Sequence, residues 1–369
     1  VVKFWMGKGI KGFRFDVVNL ISKGEFRDDL EGDGRRFYTD GPNIHKYLQE
    51  LNEATFGTDA EIITVGEMSS TSMENCYRYA SENGKELSMV FSFHHLKVDF
   101  MGNEKWVMVP FDFCKLKHIL FEWQTHMAEH HAWNAVFWCN HDQPRVVSRF
   151  GNTKEYWKES AKMLATVIHC MRGTPYIYQG EELGMTNPGF HDISQYRDVE
   201  SINHFRILQE KGLTRENAYQ ILAIHSRDNS RTPMQWSDQK NGGFSQAEPW
   251  IEVNDNCAYI NAETEEKDED SIFHYYQKLI TLRKKYDIVG YGDFEALDEM
   301  HPSVLAYRRN YQDQKLLVIN NFYGKEVTWE ADESLEDYTC ILSNYEHHMM
   351  DGKRIRLKPY EALILYREA

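Results

Sequence analysis

No stretch of this chain is long and apolar enough to cross a membrane: the best candidate, residues 163–171, is short and is interrupted by His169. Cysteine is sparse as well. The six residues Cys76, Cys114, Cys139, Cys170, Cys257 and Cys340 are scattered, with neither a CxxC pair nor zinc-ligand spacing, so reduced thiols are expected. An excess of positive charge is missing too. Lys and Arg number 42 against 57 Asp and Glu, a formal net charge of −15, and that field would repel nucleic acid and anionic membrane surfaces alike. Any anionic ligand would need a local basic site. No signal-peptide pattern precedes the opening FWMGKGIKGFRFD, and it is composition, with its scattered cysteines, that leads to the expectation of a soluble cytoplasmic chain. Metal-ligand patterns are absent: the pairs His130/His131 and His347/His348 are adjacent in sequence, which rarely gives convergent ligands, and no HExxH accompanies them. They read as surface or packing residues, and no metal is expected.

What is present is enough to bury a large core. The chain has 369 residues, 41% of them apolar and 14% aromatic, which suits two domains. Short apolar runs at 12–18, 62–67, 89–93, 135–140 and 176–179 alternate with helical stretches at 43–55, 111–126 and 160–170, as a βα-repeating fold requires. A long polar stretch follows to about residue 270, expected to hold functional loops and some helices of its own. One more packed helix is read at 271–286. From Phe294 the pattern changes to short alternating strands: VLAYRRNY, KLLVINNF, KEVTWE, YTCILSNY, RIRLKP and EALILYRE. These predict a small antiparallel β-sandwich, giving domains at 1–292 and 293–369.

Three carboxylates each end a separate strand-like run: Asp16 in GFRFDVV, Glu67 in IITVGE and Asp142 in AVFWCNHD. A parallel α/β barrel gathers the C-terminal ends of its strands on one face, where such acids converge. Taken singly, an Arg-x-Asp on a strand reads as an ion pair and a Glu after a strand as a helix cap. The three together, in this order and with these flanks, read as a glycoside-hydrolysing site.

GFRFDVVNLI, IITVGE and FWCNHDQPR resemble three regions of the α-amylase-like glycoside hydrolases, family 13, while YIYQGEELGMTN and SRDNSRTPMQW resemble its oligo-1,6-glucosidase branch. The likeness spans nearly the whole chain. Within that branch, ELSMVFSFHHLKVDF is most similar to the members that cleave phosphorylated trehalose. The resemblance implies an α/β fold, a TIM (β/α)8 barrel, of which only the C-terminal part from about strand 4 is expected here, followed by the β-sandwich. Counterparts of the family's first region, with its substrate-binding histidine, and of its small inserted domain are not found. A chain so built is expected to be inactive alone and prone to associate through exposed strand edges.

The resemblance also implies roles. A retaining glycosidase needs an ionised nucleophile and a protonated acid about 5–5.5 Å apart, and Asp16 and Glu67 match these positions. Arg14, two residues before Asp16 on one strand face, favours the ionised form; Glu67 would hold its proton through partial burial and neighbouring negative charge. Asp142 and His141 would grip sugar hydroxyls and stabilise the oxocarbenium-like state. Arg227 and Arg231 would hold hydroxyls, orient carboxylates or contact phosphate, and Trp236 offers a stacking face. His94 and Lys97 stand where the branch usually carries an acid and become candidate phosphate contacts; on a continuing strand, His95 and Lys97 would share a side. Val17 suits linkages other than α-1,4, although a β-branched residue on a strand is also the default. The expected substrate is trehalose 6-phosphate, cleaved to glucose and glucose 6-phosphate without a cofactor or an obligate protein partner. The alternatives are an oligo-1,6-glucosidase acting on isomaltose-type sugars and a noncatalytic scaffold similar to the barrel ectodomains of transporter heavy chains. Retention of all three acids argues against the scaffold.

Overall fold

In a computed structural model, residues 1–368 are described, and they group into two compact units. The first comprises Val1–Leu96, His118–Val136 and Arg172–Pro175; the second comprises Lys97–Lys117, Phe137–Met171 and the described residues from Tyr176 onward. Among the described residues, no helix is long and apolar enough to cross a membrane.

Parallel strands organise the first unit. Strands β1 (Gly12–Phe15), β2 (Ile63–Glu67) and β3 (Met89–Phe91) pair in that order, β4 (Ala135–Val136) pairs with β5 (Thr174–Pro175), and a parallel bridge from Val90 to Asn134 continues the series. Four of the five residues of β2 are buried, as expected for a strand covered on both faces. Its Gly66 is required by space: a Cβ there would lie 2.5 Å from Leu87 Cδ1 and 2.6 Å from Met68 Cε. Helix Ile44–Ala54 turns Ile44 and Leu48 inward, one helical turn apart, onto a core of Val18, Phe56, Met68, Tyr79 and Val90.

The runs at 12–18, 62–67, 89–93 and 135–140 all contain strands, but shorter ones. The fifth expectation needs correction, because the strand is Thr174–Pro175 and residues 176–179 are irregular. Pro175 has no N–H with which to extend the ladder. Backbone groups beyond it are met by side chains instead: the Gln179 carbonyl accepts from Arg145 Nη1 at 2.5 Å, and the Gly180 amide donates to Glu182 Oε2 at 2.8 Å. Helices expected at 43–55, 111–126, 160–170 and 271–286 are found at Ile44–Ala54, Phe113–Glu129, Trp157–His169 and Ile272–Lys285.

In the second unit the polar stretch after Gly180 folds around its own core of Trp106, Phe190, Tyr196, Phe205, Leu208, Ile221 and Leu222. Helices Val199–Glu210 and Arg215–His225 build it, capped by the side chains of Asp198 and Thr214. The sandwich has a five-stranded antiparallel sheet, ordered β10 (Thr339–Ser343), β13 (Ala362–Glu368), β8 (Gln314–Asn321), β7 (Val304–Tyr311), β6 (Asp293–Leu297). Opposite it lies a three-stranded sheet ordered β11 (Met349–Asp351), β12 (Arg354–Leu357), β9 (Val327–Glu330). Alternation decides both faces of β7. Val304 and Ala306 enter the core between the sheets with Leu317, Ile319, Trp329, Ile355 and Leu357. Tyr307 and Arg309 point the other way, where the Tyr307 hydroxyl reaches the Val167 carbonyl at 2.7 Å and Arg309 donates to the carbonyls of Cys170, Val289 and Gly292. Strands β6 and β11 were absent from the sequence reading; only one residue of β6 is buried and β11 has three residues, so neither carries a clear alternation.

Ile355 is fully buried between the two sheets. Ile355→Ala is expected to lower the unfolding free energy by about 2–5 kcal/mol, read from urea unfolding monitored by circular dichroism.

Candidate active site

In the first unit, the register of β1 on β2 sets Arg14 opposite Val65 and Phe15 opposite Gly66; β1 ends there, and its approach to β2 carries Asp16, in the turn just beyond, toward Glu67, the last residue of β2. Neighbouring strands lie about 4.8 Å apart, which sets the scale of that approach. Arg14 joins the two acids. Its Nη1 donates to Asp16 Oδ1 at 2.5 Å and its Nη2 to Glu67 Oε2. The sequence reading coupled Arg14 to Asp16 alone; the fork geometry of guanidinium adds Glu67. The two acids differ sharply in environment, the Asp16 side chain being 72% exposed and that of Glu67 11%. Val17, directly after Asp16, has φ 35° and ψ 43°, a left-handed conformation that a β-branched residue rarely adopts.

In the second unit, Asp142 is the focus. Its Oδ1 accepts from Arg231 Nη2 at 2.6 Å and lies 3.6 Å from Arg227 Nη1, while His141 Nε2 is 3.5 Å from Oδ2. Arg231 Nε also donates to the His141 carbonyl at 2.8 Å, so one guanidinium fixes both residues of the pair. Arg227 is held in turn by Glu200, with Nε 3.1 Å from Oε2, and Lys105 reaches the same oxygen at 3.4 Å. Burial lowers the Lys105 pKa, with Glu200 opposing. Trp236 is half-exposed, and its amide is tied to the Gly242 carbonyl at 2.7 Å.

The loop carrying these arginines is built on buried polar groups. Asp228 Oδ2 accepts from the amides of Arg197 and Asp198 at 2.7 and 2.9 Å, and Asn229 Nδ2 donates to the Ala223 carbonyl at 3.0 Å. The Ser230 carbonyl takes hydrogen bonds from Tyr178 Oη at 2.9 Å and from Arg145 Nη2 at 3.2 Å. Glu200, Lys105, Asp228 and Arg145 escaped the sequence reading. Arg145 stood inside a quoted motif, FWCNHDQPR, but nothing local showed that it braces a loop 85 residues further on.

The alternation expected for His95 and Lys97 needs correction. The strand stops at Phe91, and His94–Lys97 is a 3-10 turn, so the repeat is three residues instead of two and the alternation that paired His95 with Lys97 does not hold. His94 Nδ1 lies 2.9 Å from Ser92 Oγ and its ring stacks on Trp123 with centroids 4.6 Å apart, while His95 is buried. His130 stacks on Tyr77 with centroids 3.8 Å apart, a packing role like the one read from sequence.

The pattern described as "Alpha amylase, catalytic domain" matches residues 1–292, and that described as "Alpha-amylase SusG C-terminal domain" matches residues 304–364. The chain belongs to the α-amylase family of glycoside hydrolases, with the catalytic domain followed by an antiparallel-sheet domain. More particularly, it is 53% identical over 368 residues to trehalose-6-phosphate hydrolase from Bacillus subtilis (strain 168), covering 99% of this chain and 65% of that one. Oligo-1,6-glucosidase from Bacillus cereus is 47% identical over 373 residues, covering 99% of this chain and 66% of that one. Among solved structures, trehalose-6-phosphate hydrolase from Bacillus licheniformis superposes with a TM-score of 0.95 at 54% identity, covering 99% of this chain and 67% of that one. The chain thus spans 65–66% of the length of these curated relatives.

Glu181 gives a pH-dependent prediction. It is 2% exposed and accepts from Tyr276 Oη at 2.8 Å and Cys139 Sγ at 3.2 Å. Burial pushes its pKa up to about 7; the hydroxyl and thiol oppose this, and Glu182 adds to it. An unfolded carboxyl titrates near 4.5, so from there to about pH 7 the folded chain binds more protons and stability falls as pH rises. Glu181→Gln removes that slope. Between pH 5 and pH 8 the parent is expected to lose on the order of a few kcal/mol relative to the variant, measured by urea unfolding at both pH values.

Proposed function

We propose that a protein carrying this chain is a retaining α-glucosidase that hydrolyses trehalose 6-phosphate to glucose and glucose 6-phosphate. The observation that carries the reading is the single guanidinium of Arg14 in contact with both Asp16 and Glu67, which limits their separation to the span of one group. A double displacement needs that closeness. Asp16, the exposed acid, attacks the anomeric carbon; Glu67 protonates the leaving oxygen and then takes a proton from water. An ion pair with Arg14 belongs to the carboxylate, so the reading requires Glu67 to exchange that contact when sugar binds. Asp142 and His141, with Arg227 and Arg231 behind them, grip hydroxyls and stabilise positive charge at the anomeric carbon.

Residues 1–292 are proposed as the catalytic domain and 293–369 as the sandwich domain. His94 and Lys97 are proposed as phosphate contacts, and the similarity to two trehalose-6-phosphate hydrolases supports a sugar phosphate over a neutral substrate. Six unpaired cysteines support a cytoplasmic location. The second reading, an oligo-1,6-glucosidase, is favoured by the 47% identical Bacillus cereus enzyme.

Incubation with trehalose 6-phosphate and with isomaltose, at equal concentration, is expected to release glucose 6-phosphate from the first and little glucose from the second. The reverse preference would support the second reading. Asp16→Asn is expected to lower kcat by more than about 10³-fold. Lys97→Ala is expected to lower the ratio of kcat/KM for the phosphorylated over the neutral sugar about tenfold, roughly 1.4 kcal/mol.

A further inference from the structure

Behind Asp16 and Glu67 lies a buried polar network that the chemistry above does not use. Asn19, three residues after Asp16, is 0% exposed. Its Nδ2 donates to the Ser69 carbonyl at 2.8 Å and its Oδ1 accepts from the Ser69 amide at 2.9 Å. Ser69 stands two residues after Glu67. The Asn19 side-chain amide therefore bonds both backbone groups of Ser69 and ties the segment leaving β1 to the segment leaving β2.

The orientation that the Ser69 amide and carbonyl require of that side chain is also held by Asp40. Asp40 Oδ1 accepts from Asn19 Nδ2 at 3.0 Å, and an ionised carboxylate, which only accepts, requires the NH2 group of Asn19 to face it. The same carboxylate accepts from Tyr79 Oη at 2.6 Å on Oδ1, and from Thr71 Oγ1 at 2.8 Å and Asn75 Nδ2 at 3.2 Å on Oδ2. Two donors on each oxygen fill its capacity of about four. None of the four is a cation, so this carboxylate acts as an acceptor hub. The Asp40 amide adds a bond of 3.0 Å to the Asn19 carbonyl.

Two strained backbone positions meet on this hub. Asp40 and Ser70 have positive φ, at 49° and 56°, the first within the network and the second between its members Ser69 and Thr71; Val17, two residues before Asn19, has φ 35°. Such conformations cost on the order of 1–3 kcal/mol each and persist where the surroundings over-determine them. Gly41 is held in the same way: a Cβ there would lie 1.9 Å from the Ser22 carbonyl oxygen, and Ser22 Oγ accepts from the Asn43 amide at 3.0 Å. The chain after Asp40 is thus pressed onto the segment that follows Asp16.

We propose that Asp40 is a positioning residue for the catalytic pair: by anchoring Asn19 and holding Thr71 and Asn75 it fixes the loops after β1 and β2 to one another, and so tunes the separation of Asp16 and Glu67. This rests on the glycosidase reading above. Asp40 touches neither acid; it acts through Asn19, Thr71 and Asn75.

The test uses a turnover-competent protein carrying this chain, assayed for trehalose 6-phosphate hydrolysis beside amide hydrogen exchange at residues 67–72. Asp40→Asn removes acceptor capacity and turns an NH2 toward existing donors. It is expected to lower kcat by about 10²-fold with KM within about threefold, and to speed exchange at the Ser69 amide. Thr71→Val, which removes one donor, should give a smaller fall of the same kind. Asn19→Asp alone sets two carboxylates face to face and should be as damaging as Asp40→Asn, while Asn19→Asp combined with Asp40→Asn restores a donor to an acceptor and should recover part of kcat. Leu48→Ala, a core change outside the network, serves as the stability control and should keep kcat well below its Tm. Faster Ser69 exchange with unchanged kcat in Asp40→Asn would overturn the proposal, as would a fall in kcat matched by Leu48→Ala at equal loss of Tm. A parent that cleaves no α-glucoside would instead overturn the glycosidase reading, and the positioning role with it.

Discussion

The parallel pairing of β1 with β2 is the constraint on which the candidate chemistry depends. Its register sets Phe15 against Gly66, and from the turn just beyond β1 Asp16 shares the Arg14 guanidinium with Glu67, 51 residues away in sequence. Hydrogen bonds between strands fix spacing along and across the ladder, so the strands deliver Glu67 and the start of the turn holding Asp16 at a defined distance, on which the loops beyond can build. Gly66 belongs to that constraint, since the space beside it is already filled by Leu87 and Met68. Arg14 then uses the place prepared for it, one fork on two carboxylates.

The second unit solves a similar problem without a long ladder. The candidate acid there, Asp142, lies in a turn, and its geometry is fixed by side chains bonded to carbonyls and carboxylates. Arg231 bonds Asp142 and the backbone beside it, Asp228 fixes the start of the arginine loop, and Arg145 and Tyr178 share the Ser230 carbonyl. Buried charge is costly where its polar groups go unmet, and most side chains in and beside this loop find backbone partners, although among the described residues Asp228 Oδ1, Asn229 Oδ1 and Arg145 Nε do not. What reads in sequence as an unusually polar stretch is largely a set of side chains that hold backbone groups.

The legible elements were those with a strong local signal. Helix Ile272–Lys285 has Ser271 as its cap and apolar residues at 272, 275, 276 and 279, and strand Val304–Tyr311 was read with its true ends from alternation alone. Residues 176–179 looked like a strand because they are apolar and aromatic, yet Pro175 and the Arg145 bond to Gln179 withdraw their backbone from any ladder. His94 to Lys97 failed for a related reason: strand or 3-10 turn is settled by where β3 runs out of neighbours, not by the four residues themselves.

The sequence by itself determined the family and the antiparallel-sheet domain and singled out the three acids and the arginine loop as candidates, because each is written in contiguous residues whose side-chain chemistry or two-residue repeat is local. Tertiary structure alone decided that Arg14 also reaches Glu67, that Glu200 and Lys105 stand behind Arg227, and that Asn19 and Asp40 join two loops. These are meetings of residues tens of positions apart. A hydrogen bond depends on distances of a few tenths of an ångström, and strand register and helix packing, not the order of the residues, set those distances.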